Sequence, residues 1–418
     1  MRVTLISARS HAGGAAKAAV RLHRALRASG LVTELCAPCV DQEEPGVKAI
    51  GLWPTPTHAR LRLALDQVPR WLAQAFGTQQ FTTALGPPPL GLGRTLREAD
   101  LVHLHWIGKG TLPLRRLARL DRPVVWTLHD MWPLTGGCHY DEGCGRFMQS
   151  CGLCPVLRSH RECDLSRQIL HAKQNAYRLL NLTFVAPSEW MAGMVRAATV
   201  AKGLPVYVIP NAVDRQLFIP GDRAVAREAL GLSNDAKIVA FAAMGGGAEP
   251  RKGFDLLQAA MHLLREQNNA HSLQLLVIGG AAPASWEDLP SIATGHLAGE
   301  ADMAKALGAA DVLILPSRQD NLPNTVAEAL ACGVPVVAFK LGGLPDLVQH
   351  QHNGYLAQPF DVADLARGIA WVLEDTDRHA ALRQAARKST ARFEPAAVAE
   401  QHLALYQKIL HRQRLQSS

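Results

Sequence analysis

The stretch VLILPSRQDNLPNTVAEALACGVPVVAF at residues 312–339 reads as a strand, a polar loop, a short helix and a second strand. Both strand segments, 312–317 and 334–339, are almost continuously apolar and rich in β-branched residues. Such strands are buried on both faces, which is typical of a parallel sheet. A helix that connects two parallel strands is the repeating unit of doubly wound α/β domains.

Short apolar runs of strand length recur along the chain, and helical segments separate many of them. Besides the two strands above, they lie at residues 3–7, 32–36, 101–106, 124–129, 182–188, 207–211, 238–243 and 273–279. This alternation is the signature of α/β architecture. The sequence therefore predicts two Rossmann-like doubly wound domains of five strands each, joined near residues 201–206.

Composition narrows the class of protein further. The 418 residues are 48% hydrophobic and 19% charged, which excludes a disordered chain. No apolar run reaches the roughly 20 residues that span a bilayer, and residues 1–7 lack a signal-peptide pattern, so we expect a cytoplasmic protein. The net charge of +8 suits anionic ligands or a membrane surface. We expect no nucleic-acid partner, because the sequence has no basic stripe with interleaved aromatic residues.

Two motifs in the first half follow strands, where open α/β sheets bind their ligands. In SHAGGAA at residues 10–16, Gly13 and Gly14 would let backbone N–H groups approach an anion at a helix start. An ordinary tight turn is the alternative. In TLHD at residues 127–130, His129 can bond a ligand hydroxyl or an anion, and Asp130 could orient it. A structural histidine is the alternative here.

Two motifs in the second half fit a phosphorylated, hydroxyl-bearing ligand. GGGAEPRKG at residues 245–253 places a glycine run before the cations Arg251 and Lys252, which suits a diphosphate, although the spacing is not that of a Walker A loop. A solvated basic turn is the alternative. Asn324 is a candidate N-cap of the helix in the stretch quoted first. Asp320 and Glu328 bracket that helix start and could bind vicinal hydroxyls. An ordinary capped helix with surface acids is the alternative.

In this order and spacing, the motifs resemble the retaining GT-B glycosyltransferases of family 4, of the bacterial surface-polysaccharide type. The resemblance covers essentially the whole chain. It rests on PRKG at 250–253, residues 316–339, GGLPDLV at 342–348, NG at 353–354, PSEW at 187–190, IPNAVD at 209–214 and HD at 129–130. It implies an α/β, GT-B fold in which two Rossmann-like domains face each other across a cleft.

The resemblance also implies domain limits and a role for each matching residue. An acceptor-side domain would span residues 1–205, a donor-nucleotide domain 206–392, and a helix at 393–418 would cross back to the first domain. The resemblance makes four residues catalytic, namely His129 at the sugar, Arg251 and Lys252 at the diphosphate, and Asp320 where the family usually has Glu. The donor-binding residues that it implies are Gly13, Gly14, Leu322, Asn324, Thr325 and Glu328.

The expected function is transfer of a hexosyl group, with retention, from a nucleotide-diphosphate sugar to an oligosaccharide acceptor in exopolysaccharide biosynthesis. Relatives of this kind often use lipid-linked acceptors, and no cofactor is required for catalysis. A noncatalytic nucleotide-sugar-binding protein and a sugar-nucleotide epimerase are the alternatives on the same fold.

Two further features are independent of that resemblance. Cys138, Cys144, Cys151 and Cys154 lie in a glycine-rich loop after the HD motif, and Cys-x2-Cys at 151–154 has zinc-ligand spacing, so a structural Zn²⁺ site is expected there. His139, His160 and Cys163 are alternative ligands, and free buried thiols are the alternative reading. Residues 58–77 and 112–122 mix arginine with apolar residues and predict peripheral membrane contact, with Pro69 interrupting the first segment. A helix packed on the core is the alternative.

Overall fold

The structure is a computed structural model, and it describes residues 1–38, 40–50, 56–72, 80–87, 92–108, 110–242, 249–266, 273–280, 290–297 and 299–417. The chain forms two compact units. The first comprises Met1–Ala212 together with Pro395–Ser418, and the second comprises Val213–Glu394.

The first unit is built on a seven-stranded parallel sheet in the order β3-β2-β1-β4-β5-β6-β7. Its strands are β1 (Arg2–Ile6), β2 (Val32–Ala37), β3 (Val47–Ala49), β4 (Leu101–Leu104), β5 (Val124–Thr127), β6 (Leu182–Ala186) and β7 (Val206–Val208). The residues of β4, β5 and β6 are all buried, as their apolar sequences predict. On β1, Leu5 lies beside both Leu35 and His103.

The helices of the first unit begin after the strands and return the chain across the sheet. They are α1 (Gly14–Ala28), α2 (Pro56–Leu72), α3 (Leu92–Arg97), α4 (Leu114–Leu117), α5 (Leu165–Tyr177) and α6 (Glu189–Ala197). Asp164 caps the start of α5, and Ser188 caps the start of α6, so both begin at residues whose side chains bond free backbone N–H groups. Helix α2 continues through Pro69, contrary to the predicted interruption, and ends three residues later at Leu72.

The second unit is built on a six-stranded parallel sheet in the order β10-β9-β8-β11-β12-β13. Its strands are β8 (Lys237–Ala242), β9 (Leu273–Ile278), β10 (Ser291–Ala293), β11 (Val312–Leu315), β12 (Val336–Phe339) and β13 (Gly354–Ala357). Its helices are α7 (Arg223–Leu230), α8 (Phe254–Glu266), α9 (Glu300–Gly308), α10 (Asn324–Ala331), α11 (Val362–Glu374) and α12 (Thr376–Ser389).

Both faces of the second sheet are packed. On β11, Leu313 and Leu315 belong to one hydrophobic cluster, whereas Val312 and Ile314 belong to another. A strand buried on both sides needs apolar residues at every position, which explains the uninterrupted pattern of the stretch at residues 312–315.

The last helix, α13 (Pro395–Ser417), packs within the first unit. Val398 and Tyr406 on α13 share a buried cluster with Leu22 and Leu26 on α1 and with Leu5 on β1. The part of the chain that the structure describes contains no helix both long and apolar enough to span a membrane.

The prediction of two parallel-sheet Rossmann-like domains is confirmed, but the strand count and the boundary differ. The segment at 207–211 was assigned to the second domain, whereas Tyr207 on β7 pairs with Val185 in the first sheet, so the first unit continues to Ala212 rather than ending at residue 205. Strands β3, β10 and β13 were not predicted. All three are edge strands of only three or four residues. Strands this short show too little periodicity to be recognised from the sequence.

Candidate functional site

Three charged side chains of the second unit meet at the end of β11. Lys252 Nζ donates a 2.7 Å hydrogen bond to Asp320 Oδ2, and Arg251 Nη1 lies 3.5 Å from the same oxygen. Burial alone would raise the pKa of Asp320, but the charges of Lys252 and Arg251 outweigh it and lower the pKa below its ordinary value. Arg251 Nε also donates to Glu249 Oε1 at 2.8 Å. Two cations therefore lie beside the buried, ionised Asp320, and Arg251 has a second, half-exposed carboxylate partner in Glu249.

Glycine allows the two cations to approach this loop. Arg251 and Lys252 lie in a short turn, Pro250–Lys252, which Gly253 ends with a φ of 70°. A Cβ atom on Gly253 would stand 1.9 Å from the carbonyl oxygen of Pro316, directly before the Asp320 loop. Only glycine fits there, so PRKG is a packing requirement as well as a charge motif. Residues 245–248 of the predicted glycine run lie outside the described residues.

The GGLPDLV motif supports the same loop from the other side. Gly342 has a φ of 57°, and a Cβ atom there would stand 2.1 Å from the carbonyl oxygen of Asp320. The backbone N–H of Gly343 donates to that carbonyl oxygen at 3.1 Å. The backbone of Asp320 is therefore clamped, which limits where its carboxylate can point.

Helix α10 begins immediately after this loop. Asn324 is its first helical residue rather than its N-cap: Pro323 is the N-cap, and no described side chain caps the helix. Leu322 is buried in the loop, and Thr325 lies in the first turn. Glu328 is only 2% exposed, so Asp320 and Glu328 are not the surface acids of the alternative interpretation.

In the first unit, the polar residues after β4 and β5 meet at one edge of the sheet. His129 Nε2 lies 2.9 Å from His105 Nδ1, so these two rings share a hydrogen bond. Burial lowers the pKa of His129 to about 4, although the Asp130 carboxylate raises it, and the imidazole is therefore neutral at pH 7.

The carboxylate of Asp130 holds the loop that carries His129. It accepts hydrogen bonds from Trp106 Nε1 at 2.7 Å, from His139 Nδ1 at 2.6 Å and from the Trp132 backbone N–H at 2.9 Å. Burial would raise its pKa, but the charge and hydrogen bond of His139 lower it. The hydrogen-bond partner of the His129 ring is His105, a residue that the sequence analysis does not single out. The signal is VHLHW at residues 102–106, in which His103 lies on the buried strand β4 and His105 directly follows that strand.

The glycines of the first loop are needed for its conformation. Gly13 precedes α1 with a φ of 96°, a value that residues other than glycine rarely adopt, and α1 begins at Gly14. The adjacent backbone N–H groups of His11 and Ala12 approach Asp41 Oδ2 at 3.4 Å. The structure thus places this loop after β1, as predicted, with an acidic side chain beside it.

The four cysteines of the predicted zinc site line one cavity, together with Phe147 and Ser166. Burial raises the pKa of the thiols of Cys138 and Cys154, and that of Cys151 to about 11, so without a metal they are neutral. Among the described residues, no three His, Cys, Asp or Glu side chains are arranged so that they could hold a metal ion. The zinc site stays a prediction.

The alternative zinc ligands are placed differently. Both ring nitrogens of His139 have protein partners, because Nδ1 bonds Asp130 and Nε2 lies 2.9 Å from Thr82 Oγ1. His160 and Cys163 are exposed and are not among the residues that line the cavity. Lys173 is buried next to the cysteine loop, where its Nζ donates to the carbonyl oxygens of Trp132 and Thr135.

The sequence matches two family models that together account for most of the chain. Residues 12–217 match "Glycosyltransferase Family 4", and residues 236–375 match "Glycosyl transferases group 1". Two Rossmann-like parallel-sheet domains with polar clusters at strand ends are the framework of a GT-B glycosyltransferase. The chain belongs to glycosyltransferase family 4.

Individual relatives and solved structures are similar over different lengths. A D-inositol 3-phosphate glycosyltransferase of Thermobispora bispora is 32% identical over 329 residues, which is 75% of this chain and 71% of that protein. For two other relatives of the same name, the chain spans about half of their length, 52% and 49%. The sucrose-phosphate synthase of Thermosynechococcus elongatus has the same fold, with a TM-score of 0.71 and 21% identity over 100% of both chains. HepE of Anabaena, solved in complex with UDP-glucose, gives a TM-score of 0.64 and 19% identity over 98% of this chain and all of HepE.

Proposed function

We propose that the protein is a retaining hexosyltransferase that uses a nucleotide-diphosphate sugar as donor and an oligosaccharide as acceptor. The observation that carries this proposal is the Arg251–Lys252–Asp320 cluster in front of helix α10, in a chain that belongs to glycosyltransferase family 4. The two cations offer charge-assisted N–H donors to a diphosphate, and the buried carboxylate of Asp320 offers a group that can face the sugar.

The chemistry follows from where charge develops. When the bond between sugar and phosphate breaks, negative charge grows on the leaving diphosphate and positive charge grows on the sugar ring. Arg251 and Lys252 stabilise the negative charge on the diphosphate more strongly in the transition state than in the ground state, which lowers the barrier. The ionised Asp320 is suited to stabilise the positive charge on the sugar ring. The departing phosphate oxygen takes the proton of the acceptor hydroxyl, on the same face of the sugar, which retains the anomeric configuration.

The Asp320 loop also fixes the positions of Lys252 and Arg251 before the nucleotide-diphosphate sugar binds. Because Lys252 is bonded to Asp320, its ammonium is held in one position instead of sampling solvent. Arg251 Nη1 also donates to the Gln319 carbonyl oxygen at 2.8 Å, which fixes the guanidinium beside the loop. Groups fixed in advance lose little entropy when the diphosphate binds.

The acceptor proposal draws on helix α2 of the first unit. Leu61, Leu65, Val68 and Trp71 lie on one helix face and are exposed, Leu61 by 55% and Trp71 by 67%. The other side of α2 is docked, because Thr83 Oγ1 donates to the carbonyl oxygen of the buried Asp66 at 2.6 Å. An apolar stripe on one exposed helix face is typical of a helix that lies in a membrane interface.

Positive charge lies close to this helix. The backbone N–H of Leu114, at the start of α4, donates to the Ala84 carbonyl oxygen, directly after the residue that holds α2. Helix α4 and the turn after it carry the exposed Arg115 and Arg119. We therefore propose peripheral contact with an anionic leaflet and a lipid-linked oligosaccharide as acceptor. Residues 73–77 of the predicted amphipathic segment lie outside the described residues.

Product analysis tests the donor and the acceptor. The purified protein is incubated with a panel of nucleotide-diphosphate sugars and with lipid-linked oligosaccharides or D-inositol 3-phosphate, the compound in the names of its relatives. We expect a glycoside with retained configuration, formed on the lipid-linked acceptor. A product only with D-inositol 3-phosphate would replace the acceptor proposal. An isomerised donor would indicate an epimerase, and donor binding without any product would indicate a noncatalytic binder.

Substitution of Lys252 links the product to this site. Lys252→Ala should lower kcat/KM for the donor by on the order of 10²-fold. Lys48→Ala is the matched control, because Lys48 also donates to a carboxylate, Glu34, at 2.6 Å but lies on the exposed surface of the first unit. Equal activity of the two variants would contradict the role of Lys252.

Vesicle flotation tests the membrane contact separately. We expect binding to vesicles that contain phosphatidylglycerol and not to pure phosphatidylcholine. Trp71→Ser combined with Leu61→Ser should abolish that binding. Leu179→Ser, which changes a residue of the same unit that is 70% exposed but distant in sequence from α2, should leave it intact. Unchanged binding of the double variant would contradict the proposed surface.

A further inference from the structure

A row of buried histidines runs through the first unit. His103 and His105 are stacked with ring centroids 4.5 Å apart, and His105 and His129 follow at 5.2 Å. His103 is fixed at both nitrogens, because Nδ1 lies 2.6 Å from Tyr406 Oη on α13 and Nε2 lies 2.8 Å from Thr127 Oγ1. The row therefore connects the last helix of the chain with His129.

The backbone of His105 is also held firmly. Its N–H donates to the Ile6 carbonyl oxygen at 2.9 Å, and its carbonyl oxygen accepts from Trp126 Nε1 at 2.9 Å. The side chain is 2% exposed and stacks on the fixed ring of His103. His105 thus has one defined position from which its Nδ1 meets His129 Nε2.

The second nitrogen of His105 decides which ring donates this hydrogen bond. His105 Nε2 is buried, and none of the described atoms is its hydrogen-bond partner. If His129 donated from Nε2, His105 would carry its own proton on Nε2, as a buried N–H without an acceptor. If His105 donates from Nδ1, its Nε2 is an unprotonated acceptor instead. Buried orphan N–H groups are rarer than unsatisfied acceptors, which favours the second arrangement.

We propose that His105 is a positioning residue that donates from Nδ1 to His129 Nε2 and thereby keeps the His129 proton on Nδ1. His129 then presents a fixed N–H donor to an oxygen of the sugar substrate, and this role rests on the proposed function. A histidine that was free to exchange tautomers would offer a donor at that nitrogen only part of the time.

Burial supports the neutral state that this arrangement requires. It lowers the pKa of His129 to about 4 and that of His105 well below its ordinary value, with the neighbouring histidine charges adding to the effect on His105. When both imidazoles are neutral, one ring supplies the N–H donor of the hydrogen bond and the other ring supplies the unprotonated nitrogen that accepts it. A doubly protonated pair would place two donors against each other.

The tautomer is measured directly, without substrate. Long-range ¹H–¹⁵N correlation spectra of the full chain with labelled histidines report which nitrogen is protonated, and His129→Gln assigns the signal. We expect His129 to carry its proton on Nδ1 in the wild type. In His105→Leu, the signal should become that of a mixture or of the Nε2–H form. His105→Asn places an amide N–H close to the position of Nδ1 and should restore the wild-type pattern. A wild-type His129 with its proton on Nε2, or an unchanged tautomer in His105→Leu, would overturn the proposal.

Kinetics separate positioning from simple structural support. His105→Leu should lower kcat by on the order of 10²-fold, while the KM for the donor changes by less than about threefold, and His105→Asn should recover most of the loss. His23→Leu removes another buried histidine of the first unit, bonded to Thr33 and Pro45, and should retain kcat. Normal kcat in His105→Leu with an altered tautomer would also overturn the proposal. If the wild type consumed no donor, the proposed function would fail, whereas the tautomer measurement would still be decisive for the His105 hydrogen bond.

Discussion

Lys252 donates a 2.7 Å hydrogen bond to Asp320, a residue 68 positions further along the chain. The carboxylate is buried, so removing its charge and removing a cation have different consequences. Without the carboxylate, two cations remain close together. Without a cation, a buried negative charge loses part of its compensation.

Asp320→Asn should lower kcat/KM for the donor by about 10²–10³-fold, because the loop loses the charge that faces the sugar and orders Lys252. Asp320→Glu, which keeps a carboxylate at this position, should retain more activity than the amide. Asp255→Asn is the control, since it removes an exposed ion pair with Arg318 in the same unit. Steady-state kinetics measure all three variants. Activity of Asp320→Asn equal to that of Asp255→Asn would argue against a role of Asp320.

Gly253→Ala should destabilise the second unit by about 3 kcal/mol, because its Cβ atom would overlap the Pro316 carbonyl oxygen in addition to the unfavourable φ. Gly231 has nearly the same φ, 69°, but a Cβ atom there would meet only Ile292 at 3.9 Å. Gly231→Ala should therefore destabilise the second unit by only about 1 kcal/mol. Urea unfolding monitored on each variant gives the two free energies. Similar losses would show that the close approach to Pro316 costs little.

The buried histidines predict acid sensitivity of the first unit. The pKa of His402 is lowered by burial to about 4, so between pH 6.5 and 4 the unfolded chain binds a proton that the folded chain does not. Its contribution to stability is complete above pH 6.5 and is lost as the pH falls toward 4. Between pH 6.5 and 4, the free energy of unfolding of His402→Leu should therefore fall by about 3 kcal/mol less than that of the wild type.

Urea unfolding at a series of pH values checks this difference. His262→Ala changes a histidine whose side chain is 69% exposed, and its stability should fall with pH as in the wild type. A parallel decline in His402→Leu and the wild type would mean that His402 does not contribute to the acid sensitivity.

The zinc prediction concerns Cys138, Cys144, Cys151 and Cys154, which line one cavity. Metal analysis of the protein as purified should give about one equivalent of zinc, and Cys151→Ser should remove most of it, because thiolates are strong zinc ligands. Cys332→Ser changes a buried thiol of the second unit and should retain the metal. A zinc content well below one equivalent in the wild type would reject the site.

Local patterns predicted much of the framework. Continuous apolar strands such as 312–315 are typical of a parallel sheet that is covered on both faces, and glycine next to adjacent cations marked the PRKG turn. Strand ends predicted where polar residues would gather, since a parallel sheet brings its carboxyl ends to one edge. These features depend on neighbours in sequence, so the residues alone are sufficient to indicate them.

Other features depend on pairing between distant segments. A three-residue strand such as β7 can extend either sheet by its local sequence, and only its pairing with β6 assigned it to the first unit. The partners of Asp130, and the contact of His105 with His129, likewise arise where separate strands end side by side. The sequence by itself determined which residues must be buried and which turns need glycine. Tertiary packing decided which polar groups meet, because hydrogen bonds between remote side chains are set by strand order and register and not by spacing along the chain.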